Sequence, residues 1–298
     1  MLHRSCVVVL CSVLFLGSLS AANGEDWVST ISLEGAQSDL DTFVSLMNGY
    51  SRFQQPTDQW FITPAPSGNL LSFRHEGTGA STFGSLAMAS ATTQATWILE
   101  IGRDQPGVLI GGWGKDTNPH RQSVDLNDLL VFPQASQWLS TQASTLIHEF
   151  TEGAHGSVGA GILADDPNFL ASHDKGRTDE NWVMFFEGGR GIRLPDPETG
   201  TPRQQVAPDT IEFMIPFAGG GDLYDQVLRV RTRDGGSFEL ADIRRGYVDV
   251  GVPFSGNSRD IVVESVTYVL VPEPSSLSLL AAGGLCLLAS MWRRRKAA

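Results

Sequence analysis

The sequence predicts an α+β fold in which a mixed front part precedes a small antiparallel β unit. Three observations support this prediction. Strand patterns lead into an amphipathic helix near the middle of the chain, short strands with Gly-rich turns fill the last third, and uncharged apolar runs stand near both ends. We therefore divide the 298 residues into segments 1–22, 23–205, 206–271 and 272–298.

Segment 1–22 has the features of a secretory signal peptide. A short head with one basic residue, Arg4, leads into the apolar run CVVVLCSVLFLG, and small residues end at Ala22. This order predicts export and cleavage after Ala22.

The front part begins with a predicted helix over 38–48, where Ser38 and Asp41 form a capping-box pattern and apolar residues recur on one face. Segment 50–92 has no clear periodicity. Residues 96–102 and 107–113 predict two adjacent strands, and 124–132 predicts a third extended run.

From Ala135 onward, apolar residues repeat at helical spacing, which predicts an amphipathic helix ending between Glu152 and His155. The polar segment that follows, DDPNFLASHDKGRTDENW, is expected to be a loop. Beyond it, 206–271 contains five short strand patterns separated by GGGD, RDGG and SGNS. This pattern predicts an antiparallel unit that separates the front part from the membrane.

The tail contains Pro272, Glu273 and Pro274, then an uncharged stretch from Leu277 to Trp292, then the basic residues Arg293, Arg294, Arg295 and Lys296. It resembles the PEP-CTERM sorting signal of bacterial envelope proteins. The resemblance implies a single transmembrane helix with its basic end in the cytoplasm, and processing by an exosortase. We expect a protein that is exported to the cell envelope or the extracellular space and is at first anchored in the inner membrane.

Charge and cysteine content exclude two classes of function. The predicted terminal segments hold five of the 21 basic and one of the 33 acidic residues, which leaves 16 basic and 32 acidic residues and a net charge of about −16. Such a charge repels phosphate backbones, so we expect no nucleic-acid partner. All three cysteines lie in the terminal segments, which excludes thiol catalysis and disulfides in between.

The stretch TLIHEFTEGAH, residues 145–155, carries the strongest chemical signal. His148 and Glu152 are four residues apart and share one helical face, as two metal ligands must. Glu149 stands where a general base polarises a metal-bound water. A third ligand would come from downstream, with His173, Asp174 and Glu180 as the candidates, and a zinc site requires its ligand side chains to converge within about 5 Å.

This layout resembles the zincin-like metallopeptidases of the bacterial type III effector family. Strands precede an HE helix, and Glu180-Asn181 is followed by Gly189 and Arg193. The resemblance implies a zinc-dependent peptidase with His148 and Glu180 as ligands and Glu149 as base. Glu152 replaces the second histidine of the family motif.

Two alternatives remain open at this stage. In the first, the chain is a non-catalytic surface protein that binds or adheres to an extracellular polysaccharide matrix, and His148, Glu149 and Glu152 are ordinary helix residues. In the second, paired carboxylates among the 32 acidic residues of 23–271 form a carbohydrate-active site.

Overall fold

The computed structural model describes residues 26–52, 59–64, 70–76, 81–92, 97–105, 108–114, 120–136, 139–156, 167–186, 191–195, 203–238 and 261–271. They form a mixed α and β structure with two sheets and five helices, so the prediction that both element types are present is confirmed. The predicted signal peptide and sorting tail lie outside the described residues. No helix within the described ranges is long and apolar enough to cross a membrane.

The first sheet contains six strands, β1 Asp26–Gly35, β2 Gln59–Pro64, β3 Leu70–Glu76, β4 Trp97–Gly102, β5 Gly111–Gly114 and β6 His120–Asp125. Their spatial order is β2-β3-β1-β4-β6-β5. The central strands β1, β4 and β6 are parallel, while β2, β3 and β5 are antiparallel to their neighbours. Strand β5 forms one edge.

The helices are α1 Gln37–Arg52, α2 Thr82–Ala91, α3 Leu126–Val131, α4 Gln142–Gly156 and α5 Pro167–Phe186. Apolar residues of α1, α2 and α4 pack on one face of the first sheet, because alternate residues of β1, β3 and β4 point inward. At the centre, the Trp97 and Phe150 rings meet edge to face with centroids 5.5 Å apart. Gly153 brings α4 close to the sheet, since a Cβ there would overlap the Gln122 side chain.

Two strand predictions for the front part are wrong. The strands predicted over 96–102 and 107–113 are not neighbours, because β6 lies between β4 and β5. The extended run predicted over 124–132 is the end of β6 followed by α3. Asp125 caps that helix: its carboxylate accepts hydrogen bonds from the backbone amides of Asn127 and Asp128.

The predicted polar loop after the central helix is also wrong, because residues 167–186 form α5. The inward face of α5 carries mainly small or polar residues at helical spacing, namely Ser172, Gly176, Asp179, Glu180, Val183 and Met184. A search for apolar periodicity does not detect such a face. Helix α4 itself begins at Gln142, seven residues after the predicted start.

The second sheet contains β7 Gly191–Arg193, β8 Arg203–Ala207, β9 Thr210–Gly219, β10 Asp222–Thr232 and β11 Ile261–Val271. The order is β11-β10-β9-β7, with β8 also paired to β9, and every pair is antiparallel. The sheet therefore includes strands that precede the predicted boundary at 206. The strand predicted within 247–254 lies outside the described residues.

A buried carboxylate connects the second sheet to the front part. Asp128 accepts hydrogen bonds from the backbone amides of Val263, at 2.8 Å, and Ile110, at 3.2 Å. Burial raises the pKa of Asp128 to about 6. Apolar residues around it, including Phe132, Ile211 and Val230, form a second core between α3 and the sheet.

Candidate metal centre

The candidate centre lies where α4 and α5 pack against each other. Gly176 of α5 faces His148 of α4, and a Cβ on residue 176 would lie 2.8 Å from the His148 carbonyl oxygen. This close approach brings His173, one turn before Gly176, and Glu180, one turn after it, to the imidazole of His148.

Three side-chain atoms form a nearly equilateral triangle. His148 Nε2 lies 3.1 Å from Glu152 Oε2 and 3.2 Å from His173 Nδ1, and the last two atoms are 3.3 Å apart. Donors at about 2.0–2.1 Å from a tetrahedral zinc ion are about 3.3 Å from one another. The triangle therefore has the dimensions of three zinc ligands, and these residues form a group able to hold a metal ion.

Glu180 lies on the other side of the same imidazole. Its Oε2 is 2.9 Å from His148 Nδ1. The other oxygen, Oε1, accepts a hydrogen bond from the Ser140 hydroxyl. A carboxylate at Nδ1 fixes the ring orientation and directs Nε2 toward the triangle, which is the usual arrangement around a metal-binding histidine.

Arg193 of β7 closes the site from the second sheet. Its Nη1 donates a hydrogen bond of 2.9 Å to Glu180 Oε2. Asn181 fixes the backbone of Arg193, because its side chain accepts from Arg193 N at 2.7 Å and donates to Arg193 O at 3.0 Å. The Glu180-Asn181 pair therefore binds both the side chain and the backbone of one arginine.

The second sheet also reaches the site through Gln226 of β10. The Gln226 side chain accepts a hydrogen bond of 2.8 Å from the backbone amide of Ser140, whose hydroxyl donates to Glu180. The sheet predicted only as a spacer thus forms part of the wall around the cluster.

Glu149 occupies a different environment from its neighbours on α4. His148 and Glu152 are buried, whereas Glu149 is only partly buried and its carboxylate lies against Gly111 at the edge strand β5. A Cβ on residue 111 would overlap Glu149 Oε2. The absence of a side chain at Gly111 leaves the space that this carboxylate occupies.

The charges of the cluster depend strongly on one another. Burial opposes a charge on His148, but its hydrogen bonds to Glu152 and Glu180 outweigh burial and raise its pKa to about 10. Burial likewise opposes ionisation of Glu180, yet the charge of Arg193 and the hydrogen bond from His148 lower its pKa to about 2. Without metal, a protonated His148 therefore bridges two carboxylates.

The pKa values of Glu152 and Glu149 shift in opposite directions although both residues lie in the same turn of α4. Burial opposes ionisation of Glu152, but hydrogen bonds from His148 and His173 lower its pKa to about 2. Burial and the charge of Glu152 raise the pKa of Glu149 to about 7. Glu149 can therefore exchange a proton near neutral pH, as a general base must.

The structure brings four of the candidate residues into direct contact. His148, Glu152 and His173 form the triangle, and Glu180 contacts His148 Nδ1. Glu149 follows His148 on the same helix with its carboxylate against Gly111, whereas Asp174 is exposed and pairs with Arg177. His155 is exposed near the end of α4 and does not join the cluster. The motif TLIHEFTEGAH assigns no role to four further contributors, because they lie outside it: Gly111, Ser140, Asn181 and Arg193.

A family model for the PEP-CTERM protein-sorting motif matches residues 270–296. This match confirms the resemblance predicted from the tail and indicates an exported, envelope-associated protein that an exosortase recognises. The match overlaps the second sheet only at the last two residues of β11 and does not include the rest of either sheet. Comparison with curated proteins and with solved structures found no match for the chain.

Proposed function

We propose that this exported protein carries a zinc-dependent hydrolase site whose substrate is a peptide bond. The observation that supports the proposal most strongly is the triangle of His148 Nε2, Glu152 Oε2 and His173 Nδ1, with edges of 3.1, 3.2 and 3.3 Å. Two imidazoles and one carboxylate are a ligand set that catalytic zinc sites use, with a fourth position left for water or substrate.

The proposal makes Glu180 a positioning residue and His173 the third ligand. The Glu180 carboxylate contacts His148 Nδ1, which keeps that nitrogen protonated and leaves Nε2 for the metal. Arg193 and Ser140 also donate hydrogen bonds to Glu180, so the carboxylate stays ionised. The sequence left His173 and Glu180 as equal candidates, and the triangle favours His173.

Zinc in this position would supply Lewis acidity, which lowers the pKa of a water molecule and polarises a carbonyl group. With zinc bound, the Glu149 carboxylate would accept a proton from water and pass it to the leaving amine. Its partial exposure, on the same helix turn as His148 and Glu152, suits both steps. The edge strand β5 beside Glu149 supports a peptide substrate, because an edge can pair with an extended backbone.

The same proposal includes a membrane anchor at the C-terminus. Residues 277–292 are uncharged and 293–296 are basic, which supports a single span with its basic end in the cytoplasm. The described part of the chain would then face the exterior of the inner membrane.

One observation favours a second candidate, a non-catalytic envelope protein that binds an extracellular matrix. Hydrogen bonds from His148 to Glu152 and Glu180 satisfy a protonated imidazole without metal, and they raise its pKa to about 10. In that case the cluster is a buried ion network that holds α4 and α5 together.

The two candidates are separated by the metal content and hydrolytic activity of the full chain purified in detergent. The variants are His148→Ala, Glu149→Gln and the matched control His155→Ala, whose side chain is exposed on the same helix. We expect about one zinc ion per chain in the wild type, Glu149→Gln and His155→Ala, and none in His148→Ala. A peptide library should be cleaved by the wild type and His155→Ala only. Absence of metal from the wild type after dialysis against zinc would support the non-catalytic candidate.

A further inference from the structure

The outer face of the second sheet has an apolar row across its strands. Ile192 pairs with Ala218, Ala218 with Leu223, and Leu223 with Val271. Residues paired directly across antiparallel strands project to the same face, and so does Val269, two residues before Val271. We call these five residues the outer stripe. Ile192 is 49% exposed, Leu223 40% and Val269 56%.

The outer stripe is not part of the core. The neighbouring row, Arg193, Phe217 and Tyr224, projects to the opposite face, where Phe217 and Tyr224 are buried and Arg193 contacts Glu180. The stripe therefore lies directly behind the candidate metal centre, on the other side of one sheet.

One carboxylate, Asp225, lies on the outer face beside the stripe, since it pairs with Val269, and the face becomes more charged toward its other end. Arg229 forms an ion pair of 2.6 Å with Glu212, and Ser265 is the partner of Arg229 on β11. Ser265 and Val271 are six positions apart along β11, a distance of about 20 Å. A mainly apolar end and a charged end on one solvent-facing surface suggest a partner that contacts only the mainly apolar end.

The continuation of the chain identifies that partner. Val271 is in the stripe and is also the last residue of β11, and the matched sorting motif begins at residue 270. Only residues 272–276 separate Val271 from the apolar segment 277–292, and five extended residues reach at most about 18 Å. If that segment lies in the bilayer, the apolar end of the sheet is held within this distance of the lipid.

We propose that the outer stripe rests on the lipid surface of the membrane that holds the sorting tail. The proposal depends on insertion of 277–292, as proposed above, and is independent of the metal site. It orients the protein, because Ile192 and Arg193 project from opposite faces of β7. The candidate centre then lies one sheet layer from the lipid, so its substrate would be a membrane-proximal segment of an envelope protein.

Fluorescence quenching by nitroxide lipids in full-chain proteoliposomes tests this orientation. The vesicles contain phosphatidylcholine and phosphatidylethanolamine, with nitroxides at the headgroup or in the acyl chain. Three single-cysteine proteins carry one fluorophore each in a Cys6→Ser, Cys11→Ser background. One keeps Cys286, and the others combine Cys286→Ser with Ile192→Cys or Ser265→Cys. The label at Cys286 reports insertion of the tail. The label at Ile192→Cys reports on the end of the outer stripe that is farthest from the tail, and the label at Ser265→Cys reports on the charged end of the face.

We expect acyl-chain nitroxides to quench the label at Cys286, and headgroup nitroxides to quench the label at residue 192 but not at 265. Equal signals at 192 and 265, with Cys286 quenched, would mean that the tail inserts but the sheet does not rest on lipid, which overturns the inference. An unquenched Cys286 would overturn both the anchor and the inference. Zinc content and hydrolysis are measured separately, so none of these outcomes bears on the metal site.

Discussion

Helices α4 and α5 contribute to the same cluster but are held in place by different forces. Helix α4 packs Leu146, Ile147 and Phe150 into the core of the first sheet. Helix α5 packs against α4 largely through polar groups, including the buried carboxylates of Asp179 and Glu180. Apolar burial fixes α4 whatever the ionisation state, whereas α5 depends on charges that must stay paired.

Both buried carboxylates of α5 accept more than one hydrogen bond. Asp179 accepts hydrogen bonds from Thr151 of α4, at 3.0 Å, and from Lys175, while Glu180 accepts from His148, Ser140 and Arg193. A metal ion bound by His148, Glu152 and His173 would add a link between the two helices. Metal binding should therefore stabilise α5 more than α4.

The largest expected effects concern zinc affinity, measured by competition with a chromogenic chelator. His148→Ala on α4 and His173→Ala on α5 each remove a proposed ligand and should lower affinity by more than about 100-fold. Glu180→Gln keeps the triangle and removes only the carboxylate behind His148, so the loss should be about 10–100-fold. A larger loss for Glu180→Gln than for His173→Ala would make Glu180 the third ligand.

The next largest effect separates the role of Glu149 from that of the triangle. Gly111→Ala places a Cβ where Glu149 Oε2 lies and should displace this carboxylate. We expect hydrolysis to fall about 100-fold, the cost of a shift of about 1 Å in a catalytic group, with zinc content unchanged. Unchanged hydrolysis would remove Glu149 from the mechanism, and loss of zinc would show that the triangle itself had moved.

A substitution at the helix contact should affect stability by a smaller amount. Gly176→Ala introduces a methyl group 2.8 Å from the His148 carbonyl oxygen and should lower the free energy of unfolding by about 1–3 kcal/mol. Gly49→Ala on α1 is the matched control. No atom lies within 4 Å of its new Cβ, so it should stabilise the protein by about 0.4–1 kcal/mol. Urea denaturation measures both, and equal effects would contradict close packing of α4 on α5.

The pH dependence of the metal-free protein tests the bridging histidine. The folded-state pKa of His148 is raised from 6.5 to about 10, so its contribution to stability is complete below pH 6.5 and is lost as pH rises toward 10. From pH 7 to 9 the free energy of unfolding should fall by at most about 1.4 kcal/mol per pH unit.

His148→Gln should lack this slope, and so should the zinc-bound wild type, in which the metal has already replaced the Nε2 proton. At the acid end the lowered pKa values of Glu152 and Glu180, both about 2, give stability that is complete above pH 4.5 and lost as pH falls toward 2. Parallel curves for wild type and His148→Gln above pH 7 would contradict a protonated bridge.

The same difference between the helices explains what the sequence predicts. Helix α4 is predicted because its buried face is apolar and periodic, and this placed His148, Glu149 and Glu152 correctly on one helix. The sequence of α5 predicts a loop because the buried face of this helix is mainly polar and therefore shows no apolar periodicity. Its two site residues, His173 and Glu180, are seven positions apart, which is two helical turns. This spacing could have indicated that both residues lie on one face of a helix.

Other parts of the fold depend on contacts between distant segments. The position of β6 between β4 and β5 is set by pairing, which no local pattern encodes. Arg193 joins the site because β7 pairs with β9 of the second sheet and Asn181 fixes its backbone. The sorting signal of the tail, in contrast, was predicted correctly because it is a linear motif.

The most direct test of the central claim is a crystal structure of the zinc-soaked protein with anomalous data collected at the zinc absorption edge. We predict one strong peak about 2.0–2.2 Å from His148 Nε2, the Glu152 carboxylate and His173 Nδ1, with Glu180 still at His148 Nδ1. No peak at the triangle, with the three side chains still hydrogen-bonded to one another, would show that the cluster is a structural ion network and contradict the proposed hydrolase.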